Sequence, residues 1–350
     1  MPFKLTWAER QIFLHHAWGP GPLLDMFSAL GFKAVSAAAK LGLFTSLEKN
    51  GAQTIAELAV KIGADERGVG LLLRVLQGLG YVRRAGKSRY VNSAMTRAWM
   101  LPASPVDCSL MMGYFEDACE RWSMLDASLR RGAPVESCDK WLDRHPGSWE
   151  RYHAGMNGIA RLVSGEIVAR CALPAFAKRL IDLGGSHGLY SIKFCEKNPA
   201  LNAVVFDWPQ ARPAAERTIH DHGMSKRVRF AEGDFFRDDI GAGYDAALLF
   251  NVIRIFPERD VLELLSKVRA ALNPGGIVLV ADQFNTRTSS AFSEANGFIV
   301  LLELFNGCSG YSYTASQTGK MLDAAGFSGT KEIPLRRAGG ISVVRAVRGT

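Results

Sequence analysis

Long hydrophobic runs are missing from this chain of 350 residues. The stretch Phe298-Ile-Val-Leu-Leu-Glu-Leu-Phe305 is short and broken by Glu303, so no transmembrane span is predicted. The opening residues, Met1 to Arg10, lack the basic start, apolar stretch and small-residue cleavage site of a secretory signal, and a soluble cytoplasmic protein is expected. Cysteine is sparse and scattered over Cys108, Cys119, Cys138, Cys171, Cys195 and Cys308 without any C-x-x-C spacing, which predicts reduced thiols rather than disulfides or zinc. The close histidine pairs, His15-His16 and His220-x-His222, have no third ligand nearby, and no metal is expected. Segregated charge is missing too. The net charge of +8 would suit an anionic partner, but Lys and Arg are spread along the chain, which implies a generally basic surface and no nucleic-acid or membrane partner.

What is present is a hydrophobic content of 48%, enough for two ordinary domains with separate cores. Its most informative run is Ile181-Asp-Leu-Gly-Gly-Ser-His-Gly188, which follows a short apolar stretch and leads into the helical periodicity of Leu189 to Cys195. A strand ending in an acid, a glycine turn and a helix start make a nucleotide-type pocket, because glycine lets a ligand approach backbone that side chains would shield. About 25 residues on, Asp207 closes a second predicted strand, Ala203-Val-Val-Phe206, where a carboxylate can accept both hydroxyls of a ribose.

Residues 1–100 read as a winged-helix domain with an N-terminal arm that breaks at Trp18-Gly-Pro-Gly-Pro22. An Ala-rich helix spans Ala34 to Leu43, Thr54-Ile-Ala-Glu57 is a capping box, and Asp65 caps a third helix carrying Val69, Leu72, Leu73, Leu76 and Leu79 at helical spacing. Tyr81 to Val91 is a predicted hairpin turning at Ala85-Gly86-Lys87. Its Arg83, Arg84, Lys87 and Arg89 would suit DNA, but the third helix runs Gly-Val-Gly-Leu-Leu-Leu, a packing surface and a poor groove reader. Dimerisation is the expected role.

Residues 101–173 read as a helical connector rich in aromatic and methionine side chains, some of which should line an acceptor pocket. From residue 174 to 350 strands and helices alternate. Strands are expected at Arg179–Asp182, Ala203–Phe206, Val228–Phe230, Ala246–Phe250 and Ile277–Val280, with a last hairpin from Lys331 to Val347 turning at Arg337-Ala-Gly-Gly340. A helix from Arg259 to Leu272 should stop at Asn273-Pro-Gly-Gly276. The pattern predicts an α/β, doubly wound, largely parallel sheet with an antiparallel end, whose ligands sit outside the strand C-termini.

Gly184 to Gly188, Asp207-Trp-Pro209, Gly233-Asp-Phe-Phe236 and Phe250-Asn-Val-Ile-Arg-Ile-Phe256 all fall at such strand ends. With Asn273-Pro-Gly-Gly276 and Asp323-Ala-Ala-Gly-Phe327, in that order and spacing, the chain resembles the class I S-adenosylmethionine-dependent methyltransferases over nearly its whole length. It is most similar to the winged-helix family of plant caffeate and bacterial small-molecule O-methyltransferases. The resemblance implies a Rossmann-like methyltransferase sheet, a homodimer formed by the N-terminal domain, and S-adenosylmethionine as cofactor. It further implies that Asp182 and Gly184, Gly185, Ser186 and Gly188 wrap the amino-acid and ribose part, that Asp207 and Trp208 hold the ribose end, and that Gly233, Asp234, Phe235 and Asn251 line the adenine side. A nicotinamide cofactor is the rival, but its pyrophosphate wants a full G-x-G-x-x-G turn that Gly184 to Gly188 does not supply.

The sequence departs from the resemblance after the fourth strand, where many members place a histidine base and this chain has Arg254. An arginine stays protonated at working pH and cannot take a proton. Of the acidic residues that flank the base in the plant enzymes, Asp282 matches one, and the other position falls near Ser312. Three readings follow. In the first, the acceptor is a thioether acid such as 4-methylthio-2-hydroxybutyrate, needing no base and anchored through its carboxylate by Arg254, which suits the S-methyltransferases of dimethylsulfoniopropionate synthesis that share this architecture. Alternatively His153, Tyr152 or Asp282 serves as base for an aromatic O-methylation. Or transfer has been lost, as in hydroxylase-like and pericyclase-like relatives. The first is the expected one, with Tyr114, Trp122, Tyr152, His153, Met156, Asn157 and Arg254 as the acceptor wall. A winged-helix regulator that senses a metabolite is the reading from another class.

Overall fold

The structure, a computed structural model, describes residues 6–11, 21–284, 291–335 and 341–349. The chain divides into two compact units, Met1–Glu116 and Asp117–Thr350, so the stretch 101–173 is shared between them. His15-His16 and the start of the Trp18–Pro22 break lie outside the described residues, as does the hairpin turn expected at 337–340.

The first unit contains helices α1 (Trp7–Arg10), α2 (Gly21–Lys40), α3 (Leu43–Asn50), α4 (Ile55–Ile62) and α5 (Glu66–Gly78), the hairpin β1 (Val82–Ala85) and β2 (Arg89–Asn92), and α6 (Ala94–Trp99). Leu43, Phe44, Leu47, Leu58, Leu73, Leu76 and Tyr90 form its core. The Ala-rich helix starts earlier and stops sooner than the sequence suggested. Gly42 takes φ +69°, a left-handed conformation that ends α2, and Leu43 then opens the unforeseen α3. Pro22 sits in the first turn of α2, where its missing N–H breaks no helical bond. The capping box of α4 is present, with Glu57 N–H donating to Thr54 Oγ1 (3.2 Å) and Thr54 N–H to Glu57 Oε2 (2.8 Å). On the hairpin, the Arg89 guanidinium is forked onto Glu57 and Arg84 lies over the Tyr90 ring, while α5 turns Leu71 and Val75 outward. Those arginines are tied down locally, and the exposed face of α5 sets Leu71 and Val75 among Arg67 and Arg74, a mixed surface better suited to protein than to a DNA groove.

Helix α7 (Met112–Trp122) runs across the boundary, followed by α8 (Leu125–Arg131), α9 (Cys138–Arg144) and the long α10 (Ser148–Arg170). Then come β3 (Arg179–Leu183), α11 (Leu189–Lys197), β4 (Asn202–Asp207), α12 (Arg212–Asp221), β5 (Val228–Glu232), β6 (Tyr244–Phe250), α13 (Glu258–Ala271), β7 (Leu272–Gln283), α14 (Ala291–Cys308), α15 (Ala315–Ala324), β8 (Phe327–Pro334) and β9 (Ile341–Arg348). They build a seven-stranded sheet in the order β5-β4-β3-β6-β7-β9-β8, parallel from β5 to β7, with β9 antiparallel to β7 and β8 antiparallel to β9. This is the Rossmann-like architecture that the alternation implied. β7 begins earlier than expected, because Leu272 already pairs with Tyr244 before the Asn273-Pro-Gly-Gly276 irregularity.

Strand order reverses between β3 and β6, the switch point at which open α/β sheets bind ligands beyond the strand C-termini. The central strands are buried on both faces, with Leu180, Ile181, Leu248, Leu249, Leu279 and Val280 fully covered, so the loops at that edge hang from a rigid base. Helix α10 packs against α11 and α12, bringing its first turns to the same edge.

Candidate active site

The loop between β3 and α11 is shaped by close packing. Gly184 (φ +67°) lies against Val252, with room for a Cβ only 2.8 Å from its Cγ2, and a Cβ on Gly185 would stand 2.7 Å from Asp182 Cγ and 2.9 Å from Val205 Cγ1. Ser186 adopts φ +49°, a conformation that non-glycine residues rarely hold. Its N–H donates to Asp207 Oδ2 (2.7 Å), and Trp208 N–H donates to Asp207 Oδ1 (2.7 Å). A carboxylate has about four acceptor sites, so this one, ending β4, keeps capacity for a ligand's hydroxyls. Burial raises its pKa to about 6 despite those two amides.

Asp182 differs. It is sealed beneath the loop at 1% exposure, accepts from Ser191 Oγ (2.9 Å), and is pushed up to about 7 by burial and, secondarily, by the Asp207 charge. It supports the turn from below rather than presenting an open surface. After β5, Gly233 lets the chain pass Phe206, whose Cζ would lie 2.4 Å from an added Cβ, and Asp234 Oδ1 caps the turn through Phe236 N–H (2.9 Å). Phe235, Phe236 and Phe256 form an edge-to-face cluster beside it. Asn251, ending β6, takes φ +60° and donates its N–H to Ala281 O (2.8 Å), which turns the chain sharply into the segment bearing Arg254.

Arg254 Nε lies 3.3 Å from Asp282 Oδ1, with 17% of the arginine side chain and 3% of the aspartate exposed. Burial raises the Asp282 pKa, and the Arg254 charge opposes that rise. The segment is pinned from the far side, where Tyr311 N–H donates to Arg254 O (2.7 Å) and Tyr313 OH to Phe256 O (2.8 Å).

On α10, His153 is 4% exposed and its Nδ1 lies 2.7 Å from Ser186 Oγ. Trp149 stacks on it at 5.7 Å and 19°, and also meets Tyr152 and Trp208 edge-on. Desolvation lowers the His153 pKa to about 4, leaving a neutral ring at ordinary pH. Trp149 was not singled out from sequence, although it stands one helical turn before His153.

Other predicted contacts are spent elsewhere. Asn157 donates to Thr218 Oγ1 (3.3 Å) and accepts from Arg161 Nε (3.0 Å), so its amide ties α10 to α12 instead of facing an acceptor. Trp122 gives its indole N–H to Glu303, which also pairs with the buried Arg121. Asn306, buried next to them, donates to Arg121 O (3.1 Å) and was likewise missed, lacking any motif of its own. Met156 is half-buried on α10, and Tyr114 lies in the first unit with its ring edge-on to Phe115. Among the described residues there is no cluster of metal-ligating side chains.

The O-methyltransferase domain family matches residues 140–328, more than half of the sequence. The chain belongs to the O-methyltransferase family. The O-methyltransferase dimerisation domain matches residues 24–102, which supports pairing through the N-terminal unit. A 3-hydroxy-5-methyl-1-naphthoate 3-O-methyltransferase of Streptomyces sahachiroi is 26% identical over 94% of this chain and 95% of that protein. The tetracenomycin polyketide synthesis 8-O-methyl transferase of Streptomyces glaucescens is 28% identical over 89% and 93% respectively. In fold, the chain is similar to human N-acetylserotonin methyltransferase solved with S-adenosylmethionine (TM-score 0.81, 22% identity, 95% of this chain and 99% of that one).

This O-methyltransferase family member is therefore an S-adenosylmethionine-dependent methyltransferase. The site suits that cofactor. Asp207 at the end of β4 and Asp234 after β5 place two carboxylates at neighbouring strand ends, with acceptor capacity for a nucleoside's hydroxyls and amine. The S-methyltransferase expectation finds no support among these relatives, which are named as O-methyltransferases. The aromatic O-methylation held as the alternative fits better.

Proposed function

We propose that this chain transfers the cofactor methyl to a ring hydroxyl of an anionic aromatic small molecule, working as a homodimer. The observation that carries the reading is Arg254, a partly exposed guanidinium where the family resemblance led us to expect a histidine. A permanently charged guanidinium cannot take a proton, but it can hold an anionic oxygen through charge-assisted hydrogen bonds and lower the pKa of a neighbouring phenol. The naphthoate relative acts on an aromatic bearing both a ring hydroxyl and a carboxylate, which supports an acceptor of that kind.

Bound S-adenosylmethionine supplies a methyl on a cationic sulfur that departs as a neutral thioether. The backbone of Gly184, Gly185, Ser186 and Gly188 would follow its methionine and ribose portions, with Asp182 bracing the loop. The free acceptor sites of Asp207 would take the ribose hydroxyls, Asp234 the adenine amino group, and Phe235 and Trp208 the adenine faces, with Gly233 and Asn251 shaping the turns. Tyr152 and Met156 on α10 remain the proposed acceptor wall.

Matched acceptors test the reading. Turnover of hydroxybenzoic and hydroxynaphthoic acids, with kcat/KM falling for their neutral amides, is the expected result. Turnover confined to thioether acids would overturn it.

A further inference from the structure

With Arg254 after β6, the acceptor hydroxyl needs another destination for its proton. Asp282 also has a bare Oδ2 among the described residues, but its carboxylate is engaged by the Arg254 charge and, through Oδ1, by Gln283 N–H (2.8 Å). Asp207 and Asp182 are occupied by the loop itself, and His187 Nδ1 accepts from Leu189 N–H (3.0 Å) inside the protein. His153 differs from all of these. Its Nδ1 is satisfied by Ser186 Oγ, its ring plane is fixed by stacking on Trp149, and its Nε2 is buried without a hydrogen-bond partner among the described residues. A buried ring nitrogen left bare forfeits about 1–3 kcal/mol of desolvation unless something binds there. The ring thus touches the cofactor loop through one nitrogen and leaves the other without a partner among the described residues.

We propose that His153 receives the proton of the acceptor hydroxyl on Nε2, with Ser186 as its Nδ1 partner, so that α10 supplies the base that the loop after β6 lacks. The inference rests on the O-methylation reading. We assign the tautomer in which Nδ1–H donates across the 2.7 Å contact to Ser186 Oγ, which leaves the Nε2 lone pair free. As the acceptor oxygen uses a lone pair to bond the methyl carbon, its O–H pair stays with oxygen and the proton passes to Nε2. The resulting imidazolium keeps its Nδ1–H bond to Ser186 and returns the proton to water after product leaves. Ser186 also fixes the alignment, because its N–H is held by Asp207 and its backbone is locked at φ +49°. One residue therefore touches both the ribose-side carboxylate and the base.

The test compares wild type with His153→Asn, whose amide occupies the Nδ1 position but offers nothing at Nε2, across phenols of graded acidity. Calorimetric titration with S-adenosylmethionine first checks that the variant folds and binds cofactor within about threefold of wild type. General-base catalysis is worth about 10²- to 10⁴-fold when the base titrates near working pH, and burial makes this imidazole a weaker base, so kcat should fall by about 10²-fold, the low end, for weakly acidic phenols. The loss should shrink toward nothing for nitrophenols that arrive already ionised. Ser186→Gly, which relieves the backbone and deletes the hydroxyl, should show the same acidity dependence with a smaller amplitude. An equal loss for every phenol, or none, overturns the base assignment alone. A wild-type protein that methylates no phenol overturns the aromatic reading and the base with it.

Discussion

Arg254 and Asp282 form a buried pair, Nε to Oδ1 at 3.3 Å, at the ends of β6 and β7 where the catalytic histidine of many relatives would be sought. Among the described residues Asp282 Oδ2 has no hydrogen-bond partner and Nε meets the carboxylate without hydrogen-bond alignment, so the pair is held by charge more than by geometry. Breaking it from one side leaves a buried carboxylate alone, which costs about 3–5 kcal/mol in comparable cases. Arg254→Met should lower the melting temperature at pH 8 by several degrees, and adding Asp282→Asn should restore most of the loss. An unaltered melting temperature for the single variant would show that the pair contributes nothing.

The same guanidinium is expected to serve acceptor binding. Arg254→Ala should raise KM for a hydroxyaromatic acid by about 10- to 100-fold, the size of a charged hydrogen bond. Cofactor affinity should stay within threefold. Initial-rate kinetics against titration calorimetry separates the two, and a KM unchanged for every acceptor would remove Arg254 from the site.

Asp207 carries a pH signature. Its pKa near 6 in the cofactor-free protein means the hydroxyl-accepting carboxylate is complete above pH 7 and lost as pH falls through 6. Affinity for S-adenosylmethionine should therefore drop toward tenfold per unit below pH 6, and Asp207→Asn should bind more weakly with a flat profile.

Stability of the cofactor-free fold should move the other way. Asp182 near 7 and Asp207 near 6 both lie above the unfolded value of about 3.9, so the folded chain binds more protons between these limits and their contribution strengthens as pH falls. Asp182→Asn should flatten that part of the urea-stability profile between pH 5 and 8. A profile identical to wild type would place the proton elsewhere.

Gly185→Ala tests the loop itself. The added methyl would meet Asp182 and Val205 inside van der Waals distance, neither being the loose end of a flexible chain. A loss of about 1–3 kcal/mol of stability is expected, together with cofactor binding. Retention of both would mean that the loop yields.

The parallel strands were legible because central strands are apolar runs bounded by glycine turns, and the loops at their ends carry their chemistry at fixed offsets, as Gly184–Gly188 and Asp207 do. Helix faces were not. Whether Asn157 turned to the acceptor or to Thr218 depended on how α12 packs, a contact made 61 residues away in sequence. The Arg254–Asp282 pair and the Ser186–His153 bond likewise join separate segments, and the stacking of Trp149 has no sequence pattern beyond helical spacing. The end of α2 was misplaced for a local reason, since Gly42 stops one helix but cannot announce that another begins at once.

The central claim is methyl transfer to an aromatic oxygen. Incubation with cofactor labelled with carbon-13 at the methyl, hydroxyaromatic and thioether acids being offered together, locates the label by NMR. The account predicts label in an aryl O-methyl ether that depends on intact Arg254 and His153. Label on sulfur, or in neither acceptor while the cofactor binds normally, would contradict it.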